Sequence, residues 1–118
     1  MKLRIDGDSI RFRLNRRDVE TFAKNGRTEV SVHFEGSTLR YVLESDDTAP
    51  GLTAEYEPGL IRVRVHAGLA AKWAGDEAVA MEATQGQLHI LIEKDFQCLH
   101  KGEDARDPDA YPNPAALG

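Results

Sequence analysis

Ile10-Arg11-Phe12-Arg13-Leu14 alternates strictly between apolar residues and arginine, and Ile61-Arg62-Val63-Arg64-Val65 repeats the pattern. A period of two puts every second side chain on the same side of an extended backbone, so each copy reads as a strand buried on one face only. The surroundings of the two copies match as well.

Before the first copy, Leu3 and Ile5 alternate with charged residues from Lys2 to Asp6, and Asp6-Gly7 suits a type I′ turn. Strands 2–6 and 9–14 are therefore expected to pair as a hairpin. After it, Asn15 reads as a helix N-cap, supported by Asp18, and Val19, Phe22 and Ala23 form an apolar stripe that stops at Gly26. Val30, Val32 and Phe34 then alternate with polar residues, Glu35-Gly36-Ser37 turns the chain, and Leu39, Tyr41 and Leu43 follow. The polar, turn-rich run Ser45-Asp46-Asp47-Thr48-Ala49-Pro50-Gly51 is the internal linker.

The second half runs the same course: strand Leu52 to Glu57, the turn pair Pro58-Gly59, the second arginine strand, and a helical spacing of Leu69, Ala70 and Trp73 over residues 66–75. Val79, Met81 and Ala83 begin a further hairpin that turns at Gln85-Gly86 and ends over residues 88–95. Ile10 maps to Ile61 and Phe22 to Trp73 at an offset of 51, whereas Gly26, Val30 and Leu39 map to Gly75, Val79 and Leu88 at an offset of 49. A two-residue deletion in the second helix accounts for the change. The expected fold is α+β: an eight-stranded antiparallel barrel-like sheet built from two strand-strand-helix-strand-strand repeats, with two short helices. Closure into a barrel would remove exposed edges. Residues 1–96 form a single duplicated domain with halves of about 1–46 and 51–96, and residues 97–118 form an extended C-terminal tail.

At 118 residues with 41% hydrophobic content, the chain is large enough for one core. Its formal net charge of −5 argues against nucleic acid as a partner, since non-specific binding there rests on positive charge. The apolar runs are too short for a membrane span, and the N-terminus lacks the apolar core of a signal peptide. The single cysteine, Cys98, fits a reducing compartment. A cytoplasmic protein without membrane or nucleic-acid partners is expected.

Arg11 and Arg13 share one strand face, as do Arg62 and Arg64. If the faces converged, four guanidinium groups would clamp a phosphate or carboxylate. Otherwise they form a solvated outer face with Glu29, Glu44, Glu55, Glu57 and Glu93 as cross-strand partners. Cys98 and His100, two apart on an extended chain, are the candidate metal ligands, although zinc needs at least three protein ligands. Cys98 as a nucleophile would need a placed base and an orienting group. No Gly-rich phosphate loop, paired-cysteine motif or His-Glu helical metal motif is present, and no cofactor is expected. The tail, with Asp109-Ala110-Tyr111-Pro112-Asn113-Pro114, is expected to fold back on the barrel, Phe96, Leu99 and Tyr111 serving as anchors; the alternative is a free peptide offered to a partner.

Ser9-Ile10-Arg11-Phe12-Arg13-Leu14, the run Leu88-His89-Ile90-Leu91-Ile92-Glu93-Lys94-Asp95-Phe96 with Cys98 behind it, and Asp109-Ala110-Tyr111-Pro112-Asn113-Pro114 together resemble a family of small bacterial proteins of unknown function. The resemblance spans essentially the whole chain and implies a bacterial cytoplasmic origin. In architecture the expected barrel is also similar to the triphosphate tunnel enzymes, which bind polyphosphate and a divalent metal. Their first strand alternates glutamates with a lysine, whereas Lys2-Leu3-Arg4-Ile5-Asp6 lacks those glutamates. The reading is a non-enzymatic binding or interaction module for an unidentified small ligand or protein. The alternative is an anion-binding protein or small enzyme using Arg11, Arg13, Arg62 and Arg64.

Overall fold

The computed structural model describes residues 1–75 and 78–95. Cys98, His100 and the tail lie outside the described residues, so the metal and tail-docking expectations fall there too.

β1 (Lys2–Asp6) and β2 (Ser9–Leu14) pair antiparallel, Leu3 opposite Phe12 and Asp6 opposite Ser9. Because Asp6 stays in the ladder, the turn residues are Gly7 and Asp8, and only Gly7 takes a positive φ, 55°. That is the requirement of a type II′ turn rather than the expected type I′. Asn15 caps α1 (Arg16–Asn25) in a capping box: its side chain accepts from the Asp18 amide at 2.9 Å, and the Asp18 carboxylate accepts from the Asn15 amide at 3.0 Å. Gly26 ends the helix in the left-handed region at φ 71°, its N–H donating to the Phe22 carbonyl at 2.7 Å. Then come β3 (Arg27–Phe34), β4 (Ser37–Asp46), β5 (Leu52–Glu57), β6 (Leu60–His66), α2 (Ala67–Gly75), β7 (Ala80–Gln85) and β8 (Leu88–Lys94).

The class is α+β as expected, but the strands divide between two four-stranded mixed sheets, ordered β1-β2-β8-β7 and β3-β4-β6-β5. Every hairpin is antiparallel, whereas the central pairs β2–β8 and β4–β6 are parallel. The sheets do not close, so the molecule is barrel-like only loosely. The helices explain the parallel pairs. α1 carries the chain from β2 to β3 in the other sheet, and α2 returns it from β6 to β7. Side-chain alternation states which face a strand buries but not which strand lies beside it.

The two sheets correspond rung by rung. Phe12 pairs with Ile92 as Val63 pairs with Leu43, offsets of 51 from β2 to β6 and 49 from β4 to β8. Along β3 the offset differs: Thr28, opposite Leu43, corresponds to Met81, opposite Ile92, an offset of 53. The shift to 49 thus arises at the hairpin tip and not in the helix, because the β3–β4 ladder has eight rungs and the β7–β8 ladder six.

The inner faces of both sheets and one side of each helix share one core. Ile10, Phe12 and Leu14 meet Ile61, Val63 and Val65 there, together with Ile90, Ile92 and Leu43. Phe22 and Trp73 pack edge to face with centroids 6.2 Å apart. Trp73 is 1% exposed, donates its indole N–H to the Val79 carbonyl at 3.2 Å, and lies under the Lys94 ammonium at 5.4 Å. Phe12 packs against Tyr41, whose hydroxyl donates to the Met1 carbonyl at 2.9 Å. Gln85 ties the sheets together at their β5 and β7 edges, accepting from the Ala54 amide at 2.8 Å and donating to its carbonyl at 3.1 Å.

Trp73→Ala should lower the unfolding free energy by about 3–5 kcal/mol in urea denaturation, as for other fully buried aromatics. A loss below about 1 kcal/mol would remove Trp73 from the core. Burial, reinforced by the Asp18 charge, pushes the Tyr41 phenol above its ordinary 10.0. Stability from the neutral phenol is therefore complete below pH 10.0 and is lost as pH rises through the folded value. The stability advantage over Tyr41→Phe should accordingly shrink when denaturation is repeated above that pH.

Candidate functional site

Because the inner faces share one core, the alternate residues of the two sheets face outward on separate surfaces. The structure brings Arg11 together with Arg13 on β2, and Arg62 together with Arg64 on β6, but it keeps the two pairs in different sheets. They do not form one four-arginine clamp.

The two surfaces differ in charge. On β6, Arg62 lies 3.1 Å from Glu44 and 3.5 Å from Glu55. Arg64 reaches Glu55 at 2.9 Å, Glu44 at 3.5 Å and Asp46 at 3.8 Å. Two cations thus meet three carboxylates, with Glu55 directly opposite Arg62 in the ladder. Asp46 is held below the ordinary carboxylate range, first by the Thr48 hydroxyl at 2.7 Å, then by the Thr48 amide at 2.8 Å, with Arg64 assisting against partial desolvation. On the same surface, Glu29 receives Arg40 at 3.3 Å and Arg27 at 3.4 Å. Val42 lies between Glu29 and Arg62 in register and is fully buried although it stands outside the core. An outward apolar residue is covered in this way when long charged stems fold over it.

In the other sheet, Arg4 stands where Glu55 stands. Arg4 is directly opposite Arg11, and Lys2 is directly opposite Arg13. Glu93 takes Arg13 at 2.8 Å and Arg11 only at 3.7 Å, while Lys2 reaches Asp95 at 3.4 Å. Among the described residues no carboxylate lies within 4.0 Å of Arg4. The outer face of the β1–β2 hairpin therefore presents four cations in two like-charged cross-strand pairs, served by two carboxylates.

A possible catalytic row beside them is not connected. His89 is in register with Ser9 and its Nε2 lies 3.1 Å from Glu82, the order of a nucleophile, base and orienter. The Ser9 hydroxyl, however, donates to the Asp6 carbonyl at 3.0 Å. A cavity of about 280 Å³ lies between the helices and is lined by Phe22, Ser45, Ala67, Ala70, Ala71 and Ala74 among others. Among the described residues its lining carries no titratable group. Among the described residues, no group of three or more His, Cys, Asp or Glu could hold a metal. No helix among them is long and apolar enough to cross a membrane.

A family model covers residues 1–115, nearly the entire chain. The chain belongs to DUF7009, a family of unknown function. No curated protein and no solved structure matches it. For this DUF7009 chain, the hairpin register adds Lys2 and Arg4 to Arg11 and Arg13. The signal was present in the sequence: a two-residue turn at Gly7-Asp8 fixes which charges stand opposite one another.

Like charges directly opposite one another destabilise a sheet by roughly 0.2–1 kcal/mol per pair. Arg4→Glu, which installs the charge found at position 55, should therefore stabilise the protein by about that amount at low ionic strength. The gain should fade in high salt. A loss of stability that is independent of salt would mean that Arg4 already has a compensating partner.

Proposed function

We propose that the protein is a non-enzymatic binding module that takes an anionic group, carboxylate or phosphate, on the outer face of the β1–β2 hairpin. Lys2, Arg4, Arg11 and Arg13 supply the charge. The observation that carries this reading is the pair of like-charged rungs Lys2–Arg13 and Arg4–Arg11, with Arg4 lacking a carboxylate among the described residues. An anion placed between Arg4 and Arg11 relieves their repulsion and accepts paired hydrogen bonds from a planar guanidinium. Arg62 and Arg64 are not assigned to this face, because Glu44 and Glu55 already occupy their guanidinium groups. The chain is acidic overall, so attraction at this face is local.

The wider reading is of a duplicated bacterial chain working in the cytoplasm. Equivalent ladder registers in the two sheets support the duplication, and a lone cysteine fits the compartment. The enzymatic alternative would need a base connected to a nucleophile, which the Ser9–His89–Glu82 row does not supply.

The test is an amide chemical-shift titration of the full chain with pyrophosphate and with citrate at low ionic strength. Saturable shifts confined to β1, β2 and neighbouring β8, abolished by Arg4→Glu/Arg11→Glu and retained in Arg62→Gln, are expected. Shifts that never saturate, or that follow Arg62 instead, would overturn the assignment.

A further inference from the structure

β3 is an edge strand of eight residues, paired on one side only, with no proline or glycine and an unbroken register against β4. The edges of β5 and β7 are bridged by Gln85, but nothing comparable is present at β3 among the described residues. Its ladder with β4 runs two rungs past the corresponding β7–β8 hairpin, His33–Thr38 and Phe34–Ser37, and Phe34 lies on the core-facing side with Val32. Val32 and Phe34 are left 36% and 58% exposed. An unguarded, long edge with exposed apolar side chains is a template for another strand.

We propose that this edge pairs with β3 of a second copy of the chain, antiparallel about a two-fold axis through Ser31, joining the two copies' sheets into one eight-stranded sheet. The sequence of the strand selects that register. Residues opposite each other must share a face, so a two-fold pairing keeps the apolar faces on one side only when it is centred on a residue and not between two. Centred on Ser31, the outward face sets Arg27 against Glu35 and Glu29 against His33, each repeated by symmetry. The inward face sets Val30 against Val32 and Thr28 against Phe34, covering both exposed apolar residues. Shifting the centre to Val30 brings Arg27 against His33, and shifting it to Val32 brings Glu29 against Glu35. Of these registers, only the one centred on Ser31 sets Arg27 against a carboxylate and sets against Glu29 an imidazole, whose N–H can donate to it. Such self-complementarity is what an isologous two-fold interface demands.

Sedimentation velocity of the full chain, from low micromolar to millimolar concentration, tests the proposal. A concentration-dependent dimer is expected. His33→Glu sets Glu29 against a glutamate twice per dimer and should weaken association about tenfold, given roughly 0.2–1 kcal/mol for each like-charged pair. Phe34→Lys, at an exposed position, should weaken it as well without unfolding the protein. The double variant Glu29→Lys/His33→Glu places opposite charges against one another and should recover dimerisation. A monomer at every concentration would overturn the proposal. So would a dimer indifferent to His33→Glu. A monomer whose β3 amides resist hydrogen exchange would overturn it too, since another segment of the same chain would then hold the edge.

Discussion

The parallel ladders of β2 with β8 and of β4 with β6 are the contacts on which everything else depends. Each sheet joins the first hairpin of one half of the chain to the second hairpin of the other, so neither half can complete a sheet alone. The fully buried row Phe12–Ile92 and its counterpart Val63–Leu43 lie in these ladders, and the Phe22–Trp73 contact seals the core where the helices cross between sheets. Pairing residues some 80 positions apart, as in Arg13 with Glu93, requires closing long loops before the contacts reward it. The fold is therefore all-or-none in character: losing one parallel ladder exposes the inner faces of both sheets.

That arrangement also makes the surface chemistry intelligible. Corresponding positions in the two sheets have equal backbone environments, so differences in their side chains stand out. Position 55 carries a glutamate that neutralises Arg62, whereas position 4 carries an arginine that repels Arg11. The backbone does not require this difference. A local excess of cations in a chain of net charge −5 is a cost to folding that ligand binding would offset. The hairpin tips differ in the same informative way, since the β3–β4 ladder runs two rungs further and ends on the exposed Phe34.

Much of this was legible in the sequence, and the limits have physical causes. Local signals decided local structure: Asn15 and Gly26 bracketed α1, and alternation marked Ile10, Phe12 and Leu14 as core. Pairing between hairpins is nonlocal, and side-chain period is identical for parallel and antiparallel neighbours, so one antiparallel barrel was expected where two mixed sheets form. The offset in β3 was misplaced for a similar reason. Val30 and Val79 match in type, but ladder register makes Met81 the partner in position of Thr28. As for the candidate site, Arg11 and Arg13 were legible from alternation. The contribution of Lys2 and Arg4 depended on the turn, and the neutralisation of Arg62 and Arg64 depended on which strands flank β6.

The claim that the β1–β2 face is built for an anion is tested most directly by thermal unfolding of the native chain in pyrophosphate and in chloride at matched ionic strength. A ligand that binds only the folded state raises the melting temperature in a saturable way, beyond the effect of screening. The account predicts a higher melting temperature in pyrophosphate, with the difference removed in Arg4→Glu/Arg11→Glu. Coincident melting curves in the two salts would contradict it.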